Sequence, residues 1–136
     1  MRHYRTVQLA EAYARMGRTE EALGMLNDAL AQIERNGEKR EQAEMLRIKG
    51  EMLLMRDSKA MPEAERCFRA ALEVARAQEA RWWELRTTVS LARLLAKQGK
   101  QDEARAMLGE IYGWFTEGFD TVDLKDAKAL LDELSA

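Results

Sequence analysis

The pattern of hydrophobic and polar residues along the chain predicts helices throughout. Apolar residues recur at helical spacing, and no stretch shows the apolar–polar alternation typical of a β-strand. Strong helix formers dominate, and the 136 residues include one proline. The pattern predicts seven helices, over about residues 3–16, 19–35, 39–56, 62–78, 81–98, 101–116 and 122–134. We therefore expect an all-α protein.

Three segments repeat one arrangement of small and large residues. Each has a small residue, a large one three positions later, then an alanine and a large residue four positions after it. The three sets are Ala10, Tyr13, Ala22 and Leu26; Gly50, Leu53, Ala64 and Phe68; Ala92, Leu95, Ala104 and Leu108. Small residues let two helices approach closely, and Gly17 and Gly99 suit the left-handed end of a helix. Each segment is therefore predicted to be a helical hairpin.

This repeat resembles the tetratricopeptide (TPR) motif, whose usual length is about 34 residues. The spacing is longer here, 40 residues from Ala10 to Gly50 and 42 from Gly50 to Ala92. The resemblance implies a TPR-like α-solenoid of three hairpins, over about residues 3–36, 38–78 and 81–116. An amphipathic helix over about residues 121–134 has no partner in this scheme, so we expect it to cap the array. We expect residues 1–136 to form a single domain.

A narrower resemblance covers the chain from about residue 37 onward. Residues 47–54, 64–72 and 83–94, and above all the aromatic-rich segment 112–128, resemble the C-terminal TPR region of bacterial signalling ATPases. Such proteins commonly carry an adenylate/guanylate cyclase or winged-helix domain before the ATPase. The family tends to have aromatic residues where this chain has Lys39–Gln42. We expect the chain to be the C-terminal part of such a protein or a stand-alone relative.

The composition excludes several kinds of chemistry. Lys and Arg number 22 and Asp and Glu 24, a net charge of -2, which disfavours nucleic-acid binding. One histidine (His3) and one cysteine (Cys67) are too few for a multi-histidine metal site or an internal disulfide. Neither a phosphate-binding loop, a membrane-spanning run nor a secretory signal is visible. We expect a non-enzymatic, cytoplasmic protein without a cofactor.

By analogy with other TPR domains, a partner is expected to bind along the first helix of each hairpin. The exposed positions of this candidate groove are Tyr4, Val7, Glu11 and Arg15; Glu44, Arg47, Glu51 and Met55; Arg86, Val89, Arg93 and Lys97. The resemblance thus predicts a protein-interaction or regulatory module of a bacterial signal-transduction protein. Its ligand would be a peptide or another domain, including one of the parent protein.

Two questions stay open at this level. The third hairpin supplies three cations to the groove, Arg86, Arg93 and Lys97, which suit an acidic peptide but are also consistent with a solvated face. As an alternative function, the chain is a structural module that self-associates as a homodimer through its N-terminal hairpin. The apolar side chains of Tyr4 and Val7 would then form part of the exposed edge.

Overall fold

The chain is all-α. The computed structural model describes residues 2–36 and 41–136, and side chains within 6–35 and 41–136. This part of the chain contains no strand and folds into seven helices, which confirms the prediction. They are α1 (Arg2–Arg15), α2 (Thr19–Asn36), α3 (Gln42–Arg56), α4 (Met61–Ala77), α5 (Arg81–Lys97), α6 (Gln101–Tyr112) and α7 (Val122–Ser135).

The first and third hairpins turn in the same way. Gly17 and Gly99 adopt φ angles of 79° and 81°, as the sequence predicts. After each glycine the chain folds back: the N–H of Arg18 donates to the carbonyl of Tyr13, and that of Lys100 to that of Leu95, both at 2.8 Å. These bonds satisfy carbonyls that the helix ends leave unpaired.

The middle hairpin uses a longer turn. The Asp57 carboxylate accepts a 2.9 Å hydrogen bond from the N–H of Lys59, and the Asp57 carbonyl accepts another from the N–H of Ala60. Pro62 is the second residue of α4, where its missing N–H costs nothing. At the end of α4 a non-glycine residue, Glu79, takes a positive φ of 54°.

By its internal contacts the chain divides into two compact units, Met1–Val74 and Ala75–Ala136, with the boundary inside α4. The single domain expected over residues 1–136 stays a prediction. In the first unit α2 contacts α1 and α3, and α1 also contacts α3. In the second unit α6 contacts α5 and α7, and α5 also contacts α7. Within its own unit, α7 therefore has the helix neighbours that α3 has in the other, so the arrangement is repeat-like.

Close packing in the middle hairpin depends on Gly50. The Phe68 ring is fully buried, and a methyl group at Gly50 would come within 2.5 Å of its Cε1 atom. The corresponding pairs in the sequence are Ala10 with Leu26 and Ala92 with Leu108. The hairpin with the smallest residue on its first helix therefore has the largest on its second.

The sixth helix ends about four residues earlier than predicted. It stops at Tyr112, and two tight turns follow, in which the N–H groups of Trp114 and Phe115 donate to the carbonyls of Ile111 and Tyr112. The turns bring Phe115 into a buried position against Trp82, with ring centroids 4.8 Å apart. Gly113, a poor helix former, directly follows the last residue of α6, and the turns beyond it allow Phe115 to be buried.

Candidate functional site

A cleft opens between α1 and α3. It has a volume of about 190 Å³, and we call it the α1–α3 cleft. Its lining comprises Glu11, Ala14, Arg15, Arg47, Ile48, Glu51, Met52 and Met55. Five of these are predicted groove residues: Glu11, Arg15, Arg47, Glu51 and Met55. The structure therefore brings part of the predicted groove together in the first unit.

Arg47 is a mostly buried charged residue of this cleft. Its Nη2 donates to Glu44 Oε1 at 2.6 Å and its Nε to Oε2 at 3.2 Å, with side chains 17% and 6% exposed. Burial lowers the pKa of Arg47, but the bond to Glu44 and the charges of Glu44, Glu51 and Glu11 outweigh it. The pKa of Arg47 thus lies above its ordinary value, and the guanidinium stays charged.

Glu11 and Glu51 stand on opposite walls of the cleft, one on α1 and one on α3. Both side chains are partly exposed, and neither forms a hydrogen bond or an ion pair with a described residue. The apolar part of the lining includes Met55, which is 58% exposed. The cleft therefore combines apolar surface with two carboxylates that no described side chain holds in a hydrogen bond or an ion pair.

A second cleft, the α5–α7 cleft, lies within the second unit. It has a volume of about 360 Å³. Its lining comprises Arg93, Ala96, Lys97, Asp126, Ala129, Leu130 and Glu133. Arg93 and Lys97 are predicted groove residues and are exposed. Sequence reasoning missed the contribution of α7, which places Asp126 and Glu133 in the same cleft as these cations.

The third predicted cation of this hairpin is already paired with α7. The Arg86 Nε donates to both carboxylate oxygens of Asp123, at 3.1 and 3.2 Å. The acidic residues Asp123, Asp126 and Glu133 recur at helical spacing on α7, and this spacing is the signal that could have revealed them. The α5 cations thus have counter-charges within the chain.

The two clefts use equivalent positions of the repeat. Glu11, Ala14 and Arg15 each lie 82 residues before Arg93, Ala96 and Lys97, the same offset that relates Ala10 to Ala92. On the second wall, residues 48, 51, 52 and 55 of α3 have the same spacing as residues 126, 129, 130 and 133 of α7. One surface of the repeat therefore forms a cleft in each unit.

Several predicted groove residues lie elsewhere. Val7, Glu44 and Val89 are buried, so the expectation that they are exposed is wrong. Val7 belongs to the core of the first unit, Glu44 is turned onto Arg47, and Val89 lies in a stretch of α5 that is buried from Thr87 to Ala92. Tyr4 is in α1, but its side chain lies outside the described residues.

The described side chains include no arrangement of the kind that metal binding requires. Within residues 6–35 and 41–136 no group of three or more His, Cys, Asp or Glu could hold an ion. Cys67 is partly buried against the core of the first unit, and burial raises the pKa of its thiol. A protonated thiol is a poor nucleophile, which fits a packing role for Cys67.

Comparison with known proteins does not assign the chain to a protein family. No protein-family model matches the chain, and no curated protein matches it. Among the described helices, none is both long and apolar enough to cross a membrane.

Proposed function

We propose that this protein is a TPR-like interaction module that binds a peptide or a domain through the clefts between the first helices of successive repeats. The observation that carries the proposal is the equivalence of the two clefts. Positions 82 residues apart on one wall and 78 residues apart on the other line a cleft in both units, although their side chains differ in charge. Clefts with the same position in the repeat but different charges can discriminate between ligands.

The chemistry of the clefts favours binding over catalysis. The α1–α3 cleft presents an apolar floor of Ile48 and Met52 with charged groups at its edge. Methionine side chains adapt to irregular partner surfaces, and such residues recur in promiscuous binding sites. Sites with an apolar centre and a polar rim are typical of protein interfaces.

The biological setting is proposed from sequence resemblance. The aromatic-rich segment 112–128 resembles the C-terminal repeats of bacterial signalling ATPases. On this basis the protein is a regulatory or scaffold region of a cytoplasmic signalling protein, and its ligand is a peptide or a domain of that system. The buried contact of Trp82 with Phe115 gives this segment a packing role as well.

A second candidate function, self-association, is favoured by exposed apolar residues of α1 and of the turn that follows it. Leu9 is 47% exposed and Met16 is 61% exposed, whereas Leu91, at the position equivalent to Leu9, is fully buried. Two copies could cover this surface by pairing their first helices. Analytical ultracentrifugation tests this: a dimer that Leu9→Lys converts to monomers supports it, and a monomeric protein excludes it.

Selection from a phage-displayed library of random peptides tests the principal proposal. The expected result is a set of peptides whose binding is blocked by Met55→Arg in the α1–α3 cleft or by Ala129→Arg in the α5–α7 cleft. Both positions are exposed, so neither change should disturb folding. A library that yields no binder, or only binders that neither variant affects, would contradict the proposal.

A further inference from the structure

The α1–α3 cleft has the size and lining of a site for one or two side chains. Its volume of about 190 Å³ lies below the roughly 300–1,000 Å³ of sites that enclose a drug-sized molecule. Ile48 and Met52 are buried beneath it, and Met55 is exposed at its edge. An apolar side chain of a bound segment would cover Met55 and remove apolar surface from water.

The charges around this cleft are unbalanced. In the lining, Glu11 and Glu51 equal Arg15 and Arg47 in number, but Arg47 is neutralised by Glu44, which lies outside the lining, and this leaves one negative charge in excess. The Glu44–Arg47 pair is internally satisfied by two hydrogen bonds. Arg15 is exposed in the last turn of α1, where a cation already complements the helix dipole.

The other cleft lacks this imbalance. Arg93 and Lys97 there contribute two positive charges, and Asp126 and Glu133 contribute two negative charges, so its net charge is zero. Charge at one position of the repeat is also reversed, since Glu11 corresponds to Arg93. The two clefts should therefore prefer ligands of different charge.

We propose that the α1–α3 cleft binds a peptide segment in which a lysine or arginine lies next to a large aliphatic residue. The cation of the segment sits between Glu11 and Glu51, and its aliphatic neighbour packs on Met55. This inference rests on the proposed function and specifies the ligand chemistry of one cleft. Such a ligand differs from the acidic peptide expected at the third hairpin, whose cations face carboxylates of α7.

Two variants that each remove two carboxylates, one inside the cleft and one outside both clefts, test the inference. Peptides selected from the random library are synthesised, and their affinities are measured by fluorescence anisotropy for the wild-type chain. The test variant is Glu11→Gln with Glu51→Gln, which removes both carboxylates and keeps their shape. The control is Glu73→Gln with Glu117→Gln, which removes two exposed carboxylates that line neither cleft. Circular dichroism verifies that both variants are folded.

The expected peptides carry a lysine or arginine beside Leu, Ile or Met. Their affinity should fall about tenfold in the Glu11→Gln, Glu51→Gln variant and change less than about twofold in the control. Replacing the peptide cation by glutamine should produce the same loss, and added salt should weaken wild-type binding, because the carboxylates are partly exposed.

Failure of this inference can be told apart from failure of the proposed interaction function. Selected peptides that bind in the α1–α3 cleft, as judged by their loss with Met55→Arg, but are neutral or acidic would overturn the inference and leave the proposed function intact. Equal affinity for the wild type and the Glu11→Gln, Glu51→Gln variant would do the same. A library without any cleft-dependent binder contradicts both proposals.

Discussion

The units Met1–Val74 and Ala75–Ala136 use one repeat pattern with different side chains. In the first, the hairpin of α3 and α4 packs glycine against phenylalanine, and its cleft has one negative charge in excess once the Glu44 that pairs with Arg47 is counted. In the second, the sequence pairs alanine with leucine, and the cleft is neutral because α7 brings carboxylates to the α5 cations. The small and large residues that pack the helices together keep the helix arrangement similar in both units. The charged residues that line the clefts are other positions, and they differ between the units.

The largest expected effect concerns the buried ring of the middle hairpin. Phe68→Ala should lower the free energy of unfolding by about 3–5 kcal/mol, because Gly50 offers no side chain to fill the space. Leu108→Ala, at the equivalent position of the other unit, should cost less. Urea denaturation of both variants measures the difference, and a greater loss for Leu108→Ala would contradict this account of the packing.

A smaller effect is expected on the other side of the same contact. Gly50→Ala should destabilise the protein by about 1–3 kcal/mol, because the added methyl meets the Phe68 ring. Gly24→Ala is the matched control: nothing lies near its added methyl, so helix propensity should stabilise the protein by up to about 1 kcal/mol.

The same contact also predicts a rescue. Gly50→Ala combined with Phe68→Leu reproduces the alanine–leucine pair of the other hairpins. The double variant should be more stable than the sum of the two single effects predicts, because contacting residues are energetically coupled. If the two losses of stability are additive in the double-mutant cycle, residues 50 and 68 are not energetically coupled and the account of their contact is contradicted.

The buried ion pair of the α1–α3 cleft should contribute next. Glu44→Gln deprives the mostly buried Arg47 of its charged partner and should cost about 1–3 kcal/mol. Glu21→Gln, in the exposed pair of Glu21 with Arg18, is the control and should leave the thermal midpoint unchanged. Equal stability of the Glu44→Gln variant and the wild type would mean that Arg47 finds an equivalent partner.

The smallest effect is expected where α7 meets the α5 cations. The side chains of Arg86 and Asp123 are 43% and 28% exposed, so Arg86→Gln should cost no more than about 1 kcal/mol. The loss should disappear at high salt, since solvent ions screen an exposed pair. A larger, salt-independent loss would show that the pair holds α7 in place.

The helices could be predicted from the sequence more fully than the site. Periodicity and caps located all seven helices, and the Gly17 and Gly99 turns followed from glycine chemistry. The end of α6 was predicted about four residues too late, although Gly113 marks it in the sequence; the burial of Phe115 depends on tertiary contacts. Analogy placed Val7 and Val89 in the groove, but both are buried; they are equivalent positions 82 residues apart, so this position of the repeat faces inward in both units.

The charge balance of the clefts could be predicted from the sequence only in part. Glu44 and Arg47 lie three residues apart, so their pair was accessible from helix geometry alone. The contribution of α7 depends on a tertiary contact between helices that are distant in sequence. Only that contact places Asp126 and Glu133 beside Arg93 and Lys97.

The most direct test of ligand binding in the α1–α3 cleft is methyl NMR with a peptide selected from the random library. The account predicts shifts of the Ile48, Met52 and Met55 methyl resonances on addition of a peptide that carries a lysine beside a leucine. The methyl resonances of Ala129 and Leu130, in the α5–α7 cleft, should stay in place. Shifts confined to Ala129 and Leu130, or shifts in neither cleft, would contradict the account.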